Sequence, residues 1–272
     1  MGQVFTWDAI QAGRIPKKES FSQVAAHLRE ALSVEPSVVS ALLLGSVVHG
    51  DFNIRSDVDC VVIYETEQET GAMNAMHEVG RAAHALHVPI NFAPCDTVVA
   101  RTRLHHLGVS FVEHLQASID AGGLIKGDLQ LLAPTIPAEQ EIESYIKMKM
   151  YGMQAAMMQM ASFSDEELAR LFRKALEAPM HVARKMLVYE HVLRGDSKRD
   201  VRERYRETMP SALSRQFDHL LAMDSMYSAH LRLQVDQPDQ SSYLEALGRL
   251  QAELPKVLEF LRSNILRLDA VR

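Results

Sequence analysis

The chain has 272 residues, 47% of them apolar, and a formal net charge of −6. This length suits one large domain or two small ones, and the apolar content is enough for a buried core. No run of about 18 apolar residues occurs, so no membrane span is expected, and the negative charge argues against a general nucleic-acid-binding protein. The first residues show no secretion signal and the two cysteines make no disulfide framework, so a cytoplasmic location is expected.

The first elements of regular structure are predicted from apolar spacing and from turn residues. Ser20 is a suitable N-cap for a helix over 21–32. A strand is predicted over Val38–Leu44 and a second over 59–64, because both are short apolar runs bounded by turn or acidic residues. Residues 69–86 are rich in Ala, Met, Glu and Gln, which favours a long helix.

Two acidic residues stand at the start of the second strand. Asp57 and Asp59 are two residues apart, so in a strand their side chains point to the same side. Adjacent carboxylates repel each other, and a divalent cation relieves that cost; hard oxygen ligands suit Mg²⁺, which usually accompanies a nucleoside triphosphate. Gly45 and Ser46 follow the first strand, where a glycine backbone can approach a phosphate and a hydroxyl can donate to it. Singly these would be an ordinary loop and a solvated turn, but together they predict a Mg²⁺ and triphosphate site.

The same residues resemble the signature of the DNA polymerase β-type nucleotidyltransferase superfamily, in which Gly-Ser is followed, after a spacer, by Asp-x-Asp or Asp-x-Glu. Here the signature is formed by Gly45-Ser46, Gly50 and Ser56-Asp57-Val58-Asp59. The resemblance implies that Asp57 and Asp59 are catalytic metal ligands and that Gly45, Ser46 and Ser56 contact the nucleotide. It does not specify the acceptor.

The predicted third strand, over 88–92, departs from the superfamily pattern. Pro89 near its start indicates an edge strand or a strand beginning. A third carboxylate often stands on this strand in the superfamily, whereas this chain has Asn91 and no acid on that face. Asparagine is no general base, so either a base comes from another segment or catalysis has been lost.

The chain is predicted to divide after a stretch with two prolines, into domains of residues 1–135 and 136–272. Before the boundary we expect a helix over 98–107, a strand or helix over 110–118, and a two-glycine turn followed by a short strand. The first domain has 9 basic and 15 acidic residues, and the second has 20 of each. An acidic first domain would suit a polycationic acceptor, although surface acids for solubility explain the same count.

The second domain reads as a helical bundle. Ser164 and Glu167 form a capping box for its second helix, Gly195 is a suitable stop, and Pro179 and Pro255 are expected to kink or split the helices that contain them. The predicted helices cover 138–162, 164–193, 198–207, 210–233 and 240–268. The fold expected for the whole chain is therefore a small mixed-sheet α/β nucleotidyltransferase domain followed by an all-α bundle.

The best candidate for the missing base lies on the first helix of the bundle. Glu143 and Lys147 are four residues apart on one helix face, which suits either a surface ion pair or a base beside a phosphate-neutralising cation. The order of motifs is similar to that of the aminoglycoside (kanamycin-type) nucleotidyltransferases, and this resemblance implies that Glu143 is the catalytic base and that Lys147 reaches the nucleotide. Glu141 points to another side of the helix, so its substitution is expected to be nearly silent.

The expected reaction is transfer of a nucleoside monophosphate from an Mg²⁺-bound NTP, with ATP expected, to a hydroxyl of a small molecule such as an aminoglycoside-like antibiotic. No nucleic-acid or membrane partner is expected, and a homodimer is left open. One rival is an adenylyltransferase that acts on a protein; another is a catalytically degenerate nucleotide-binding protein. A third is a helical ribonuclease of the HEPN type, for which Arg184 and His191 have the required spacing.

Overall fold

The structure, a computed structural model, describes residues 2–103, 107–128, 132–193 and 197–271. Within these ranges the chain forms two compact units. The α/β unit runs from Pro16 to Ala138 and also contains a short piece that ends at Lys198. The helical unit contains the remaining residues. The helical unit includes the residues before Pro16 as well as those from Glu139 onward. The predicted division differs in this respect, because it placed the residues before Pro16 in the α/β domain.

The N-terminal segment joins the helical unit because it packs on the last helix. The hydroxyl of Tyr243 donates to the carbonyl of Phe5 at 3.1 Å. The ring of Trp7 lies 5.6 Å from the ring of Tyr243, centroid to centroid. The predicted boundary was placed from turn-forming residues, which give no information on contacts between distant parts of the chain.

The elements of the first half, in chain order, are α1 (Trp7–Gln11), α2 (Lys18–Val34), β1 (Val38–Leu44), α3 (Ser46–His49), β2 (Val58–Tyr64), α4 (Glu69–Ala85), β3 (Ile90–Asp96), α5 (Thr97–Thr102), α6 (Val109–Asp120) and β4 (Leu124–Lys126). The second half consists of α7 (Ala138–Gln159), α8 (Asp165–Tyr189), α9 (Lys198–Thr208), α10 (Ser211–Asp236) and α11 (Gln240–Val271). Short 3₁₀ turns precede α4 and follow α7. No helix among the described residues is long and apolar enough to cross a membrane.

The α/β unit is a four-stranded mixed sheet in the order β3-β2-β1-β4, covered on both faces. β1 is antiparallel to β2 and β4, whereas β2 and β3 are parallel. One face is buried by α2 and α4, with residues such as Leu28, Leu43 and Val79 in the core. The other face carries Val61 and Ile63 and is covered by α5 and α6. A mixed sheet followed by helices confirms the predicted fold class.

The third strand differs most from the prediction. It begins at Ile90, two residues later than predicted, and continues to Asp96, because parallel pairing with β2 extends along its whole length. Pro94 is tolerated inside it because β3 is an edge strand, whose outer side needs no hydrogen-bond donor. Asp96 then ends the strand and caps α5, with its carboxylate accepting from the amide of Val99 at 2.9 Å.

The helical unit shows the predicted capping box, but its two internal prolines do not split their helices. The capping box of α8 is present, since Glu167 accepts from the amide of Ser164 at 2.8 Å and Ser164 accepts in return. Pro179 does not split α8, and Pro255 does not split α11; both prolines lie inside continuous helices. The predicted stop at Gly195 lies outside the described residues.

Candidate functional site

The acidic pair is positioned by strand register. Leu44, the last residue of β1, pairs with Asp59 of β2, and Asp59 in turn pairs with Asn91 of β3. The turn that follows β1 therefore begins beside Asp59. Asp57 lies one residue before β2, and its carboxylate is on the same side of the sheet edge as Asp59 and Asn91, since Asn91 contacts both carboxylates.

Asn91 connects the two carboxylates. Its side-chain Nδ2 donates to Oδ1 of Asp59 at 2.9 Å and to Oδ2 of Asp57 at 3.2 Å. All three side chains are at least partly accessible to solvent, so a ligand can reach them. The sequence identified Asn91 only as a missing acid; that it donates to both acids depends on the parallel pairing of β2 and β3.

Gly45 adjoins Asp59 at the turn between β1 and α3. Its backbone has φ +69° and ψ −146°, a conformation close to the region that only glycine occupies without strain. A Cβ added at this position would lie 3.8 Å from Oδ2 of Asp59. Glycine is required here by its backbone conformation, and the turn is close to the carboxylate. Gly50, with φ +74°, ends α3 in the left-handed conformation.

The two serines of the motif occupy different environments. Ser46 is the first residue of α3 and is partly exposed. Ser56 is 1% exposed, and its hydroxyl accepts from the backbone amide of Asn53 at 3.0 Å. Ser46 is therefore available to a ligand, whereas the hydroxyl of Ser56 holds the loop that precedes β2.

Arg55 is a residue of this loop that the sequence did not single out. Its side chain is 1% exposed, although it lies two residues before Asp57 in a polar segment typical of the surface. Its backbone amide donates to Oδ1 of Asn53 at 2.8 Å. An arginine in a polar loop gives no sequence signal of burial, because burial here depends on how the loop folds back.

The predicted base and its lysine lie in the helical unit, on α7. Glu143 accepts a hydrogen bond from Lys147, and this contact raises the pKa of Lys147. Both side chains retain solvent exposure, Lys147 more than Glu143. The i,i+4 pairing predicted from the sequence is present.

Glu141 faces α8. Its carboxylate pairs with Lys185, and only 12% and 16% of the two side chains are exposed. The Nζ of Lys185 also lies 5.1 Å from the ring centroid of Tyr145. Substitution of Glu141 should therefore affect the packing of α7 on α8, whereas its expected lack of effect on turnover stays a prediction.

The donor set at Asp57 and Asp59 fits Mg²⁺ but not a closed metal cage. Among the described residues, no group of three or more His, Cys, Asp or Glu side chains is arranged to hold a metal ion. Mg²⁺ is commonly held by one or two carboxylates together with substrate phosphates and water, whereas dedicated all-protein cages are unusual for it. Two hard carboxylates beside a glycine turn match that pattern.

Two cavities of the α/β unit differ in their relation to this site. A groove of about 1260 Å³ lies between α2, α4 and β3 and includes His27, His77 and His84, but none of the site residues. A smaller cavity of about 230 Å³ is lined by Val61, Ala93 and other mostly apolar residues. Val61 and Ala93 follow Asp59 and Asn91 by two residues on the same strands, so the smaller cavity lies on the face that carries the acids.

Comparison with known families agrees with this geometry. Residues 25–114 match the family model described as a nucleotidyltransferase domain. This match supports the resemblance of these residues to the DNA polymerase β-type nucleotidyltransferase superfamily. The match contains Gly45, Ser46, Asp57, Asp59 and Asn91 and ends before α7. No curated protein matches the chain. The nucleotidyltransferase domain supports a transferase that uses an NTP, and it does not extend to the helical unit.

Proposed function

We propose that the protein transfers a nucleoside monophosphate from an NTP, with ATP the expected donor, to a hydroxyl group of a small molecule. The observation that carries the proposal is the convergence of Asp57, Asp59 and the Gly45 turn at one sheet edge of a nucleotidyltransferase domain. A bond forms between the acceptor oxygen and the α-phosphorus. The bond from the α-phosphorus to the bridging oxygen breaks, and pyrophosphate leaves.

In this proposal the α/β unit binds the nucleotide. Asp57 and Asp59 would hold Mg²⁺, which would supply charge neutralisation at the phosphate oxygens when bound. Ser46 donates to the triphosphate, and the Gly45 backbone allows the phosphate to approach the strand end. The apolar cavity next to Val61 and Ala93 offers space for an apolar part of a ligand.

In the same proposal the helical unit supplies the base. Glu143 accepts the proton of the acceptor hydroxyl, and Lys147 stabilises negative charge on the phosphate. The acceptor class suggested by the kanamycin-type resemblance is a polycation. The excess of acidic over basic residues in the first 135 residues supports such an acceptor, because an acidic surface attracts cations.

The proposal is tested by incubating the protein with labelled ATP, GTP, CTP and UTP and Mg²⁺ against a panel of aminoglycosides and lincosamides. Labelled product together with released pyrophosphate is the expected result, and the Asp59→Asn variant is the matched inactive protein. If no small molecule is labelled but a protein in a cell lysate is, the function is a protein-directed adenylyltransferase.

A second candidate is a nucleotide-binding protein without turnover. It is favoured by Asn91, since this residue stands where the superfamily often has a third acid. Nucleotide binding by calorimetry without pyrophosphate release, under every acceptor tested, would support this alternative.

A further inference from the structure

This chain differs from a site with three acids in the residue that stands on β3. Asp57 and Asp59 are the two carboxylates that the Asn91 amide joins. The next strand offers Asn91, a neutral residue that pairs with Asp59 in the sheet. Among the described residues, no third His, Cys, Asp or Glu side chain completes a metal-binding group.

The orientation of the Asn91 amide adds to this limit. Its NH₂ group points at both carboxylates, at 2.9 and 3.2 Å, so toward Asp57 and Asp59 it presents hydrogen-bond donors and no lone pair. Both carboxylates therefore accept a hydrogen bond from the same amide group, and this shared donor also fixes the distance between them. Residue type and donor direction lead to the same conclusion, since β3 offers a second dication neither a carboxylate nor a lone pair directed toward Asp57 and Asp59.

We propose that Asn91 is a positioning residue that restricts the site to one divalent cation per bound nucleotide. This inference rests on the proposed nucleotide site. A carboxylate at position 91 would supply a further oxygen ligand, and it would open the site to a second cation. Two-metal sites in phosphoryl-transfer enzymes hold their ions about 3.5–4 Å apart, a spacing that needs shared carboxylates.

The inference is tested with the full chain and Mn²⁺ as the probe. Asn91→Asp changes one side-chain group at an exposed position and adds a negative charge. Asn91→Leu has a similar shape, removes the donor and adds no charge. Asn74→Asp adds the same charge to the same unit at an exposed position of α4, which packs on the other face of the sheet. Circular dichroism verifies that each variant is folded.

Bound Mn²⁺ is counted by the loss of the free-ion electron paramagnetic resonance signal, at saturating NTP analogue with a methylene group between the α- and β-phosphorus atoms. The wild type, Asn91→Leu and Asn74→Asp are expected to hold one Mn²⁺ per protein–nucleotide complex, and Asn91→Asp two. Two ions in the wild type, or one in Asn91→Asp, would overturn the inference. NMP transfer is assayed separately. If the wild type transfers NMP but binds two ions, only the inference is refuted. If the ion counts are as expected but no NMP is transferred, only the proposed function is refuted.

Discussion

The side-chain amide of Asn91 and the carboxylate of Asp59 are hydrogen-bonded across two parallel strands, with 2.9 Å between Nδ2 and Oδ1. The bond joins a candidate metal ligand to the residue that stands in place of a third acid. It also shows that the two aspartates belong to one polar cluster and are not independent surface acids.

Removal of either aspartate is expected to abolish transfer. Asp57→Asn or Asp59→Asn takes away one of two candidate Mg²⁺ ligands, and loss of several kcal/mol of charge stabilisation lowers the rate by about 10²-fold or more. The measurement is Mg²⁺-dependent NMP transfer by the folded variants. Glu67→Gln, at an exposed position after β2, should leave the rate unchanged. Near-normal turnover in the aspartate variants would remove the metal assignment.

The Gly45 turn makes a prediction about stability. Gly45→Ala places a Cβ on a backbone with φ +69°, and it is expected to lower the free energy of unfolding by about 1–3 kcal/mol. Gly80→Ala is the matched control, because Gly80 lies inside α4 and an added Cβ would meet nothing within 4 Å. That change should stabilise the protein by about 0.5–1 kcal/mol. Urea unfolding measures both, and equal effects would contradict the assigned backbone requirement.

The two motif serines are expected to differ in the property they control. Ser46→Ala removes a donor at the turn and should weaken NTP binding about three- to tenfold, as expected for one hydrogen bond. Ser56→Ala leaves the amide of Asn53 without its acceptor and should lower stability by about 1 kcal/mol with little change in affinity. Calorimetric NTP titration and urea unfolding of both variants separate the two roles. A loss of affinity in Ser56→Ala alone would reverse the assignment.

The acids of α7 are expected to separate catalysis from packing. Glu143→Gln should reduce turnover by about 10²- to 10⁴-fold with little change in NTP affinity, if Glu143 is the base. Glu141→Gln breaks the charge pair with Lys185 and should cost about 1–3 kcal/mol of stability, but it should retain turnover below the unfolding temperature. Single-turnover kinetics and thermal unfolding distinguish these outcomes. Equal turnover in both variants would place the base elsewhere.

His181 on α8 predicts a pH dependence of stability. Burial, and then the charges of Arg184 and Lys149, lower the pKa of His181 well below 6.5. The imidazole in the folded protein therefore stays neutral to a lower pH than in the unfolded chain, which takes up a proton below about pH 6.5. Because the unfolded state binds more protons, the free energy of unfolding should fall by up to about 1.4 kcal/mol per pH unit in that range.

The test compares urea unfolding of the full chain at about pH 7.5 and about pH 5. His181→Gln should lose part of the pH dependence, while His191→Gln, at an exposed position beyond the end of α8, should retain it. The same pH dependence in all three proteins would show that His181 does not contribute.

The sequence by itself determined those features that depend on neighbours along the chain. The Gly45 turn, the alternation that places Asp57 and Asp59 on one side, the capping box at Ser164 and the pairing of Glu143 with Lys147 all follow from fixed local spacings. Local spacing is sufficient for such features, because 3.6- and 2-residue periods set which side chains are adjacent.

The tertiary structure decided which distant groups meet. Parallel pairing brings the Asn91 amide to the two aspartates, and loop folding buries Ser56 and Arg55. Packing of α7 on α8 brings Glu141 to Lys185, and the last helix holds the N-terminal segment. These contacts join residues far apart in the sequence or depend on loop geometry. These contacts result from strand register, burial and helix packing, and the periodicity of side chains alone does not specify any of the three.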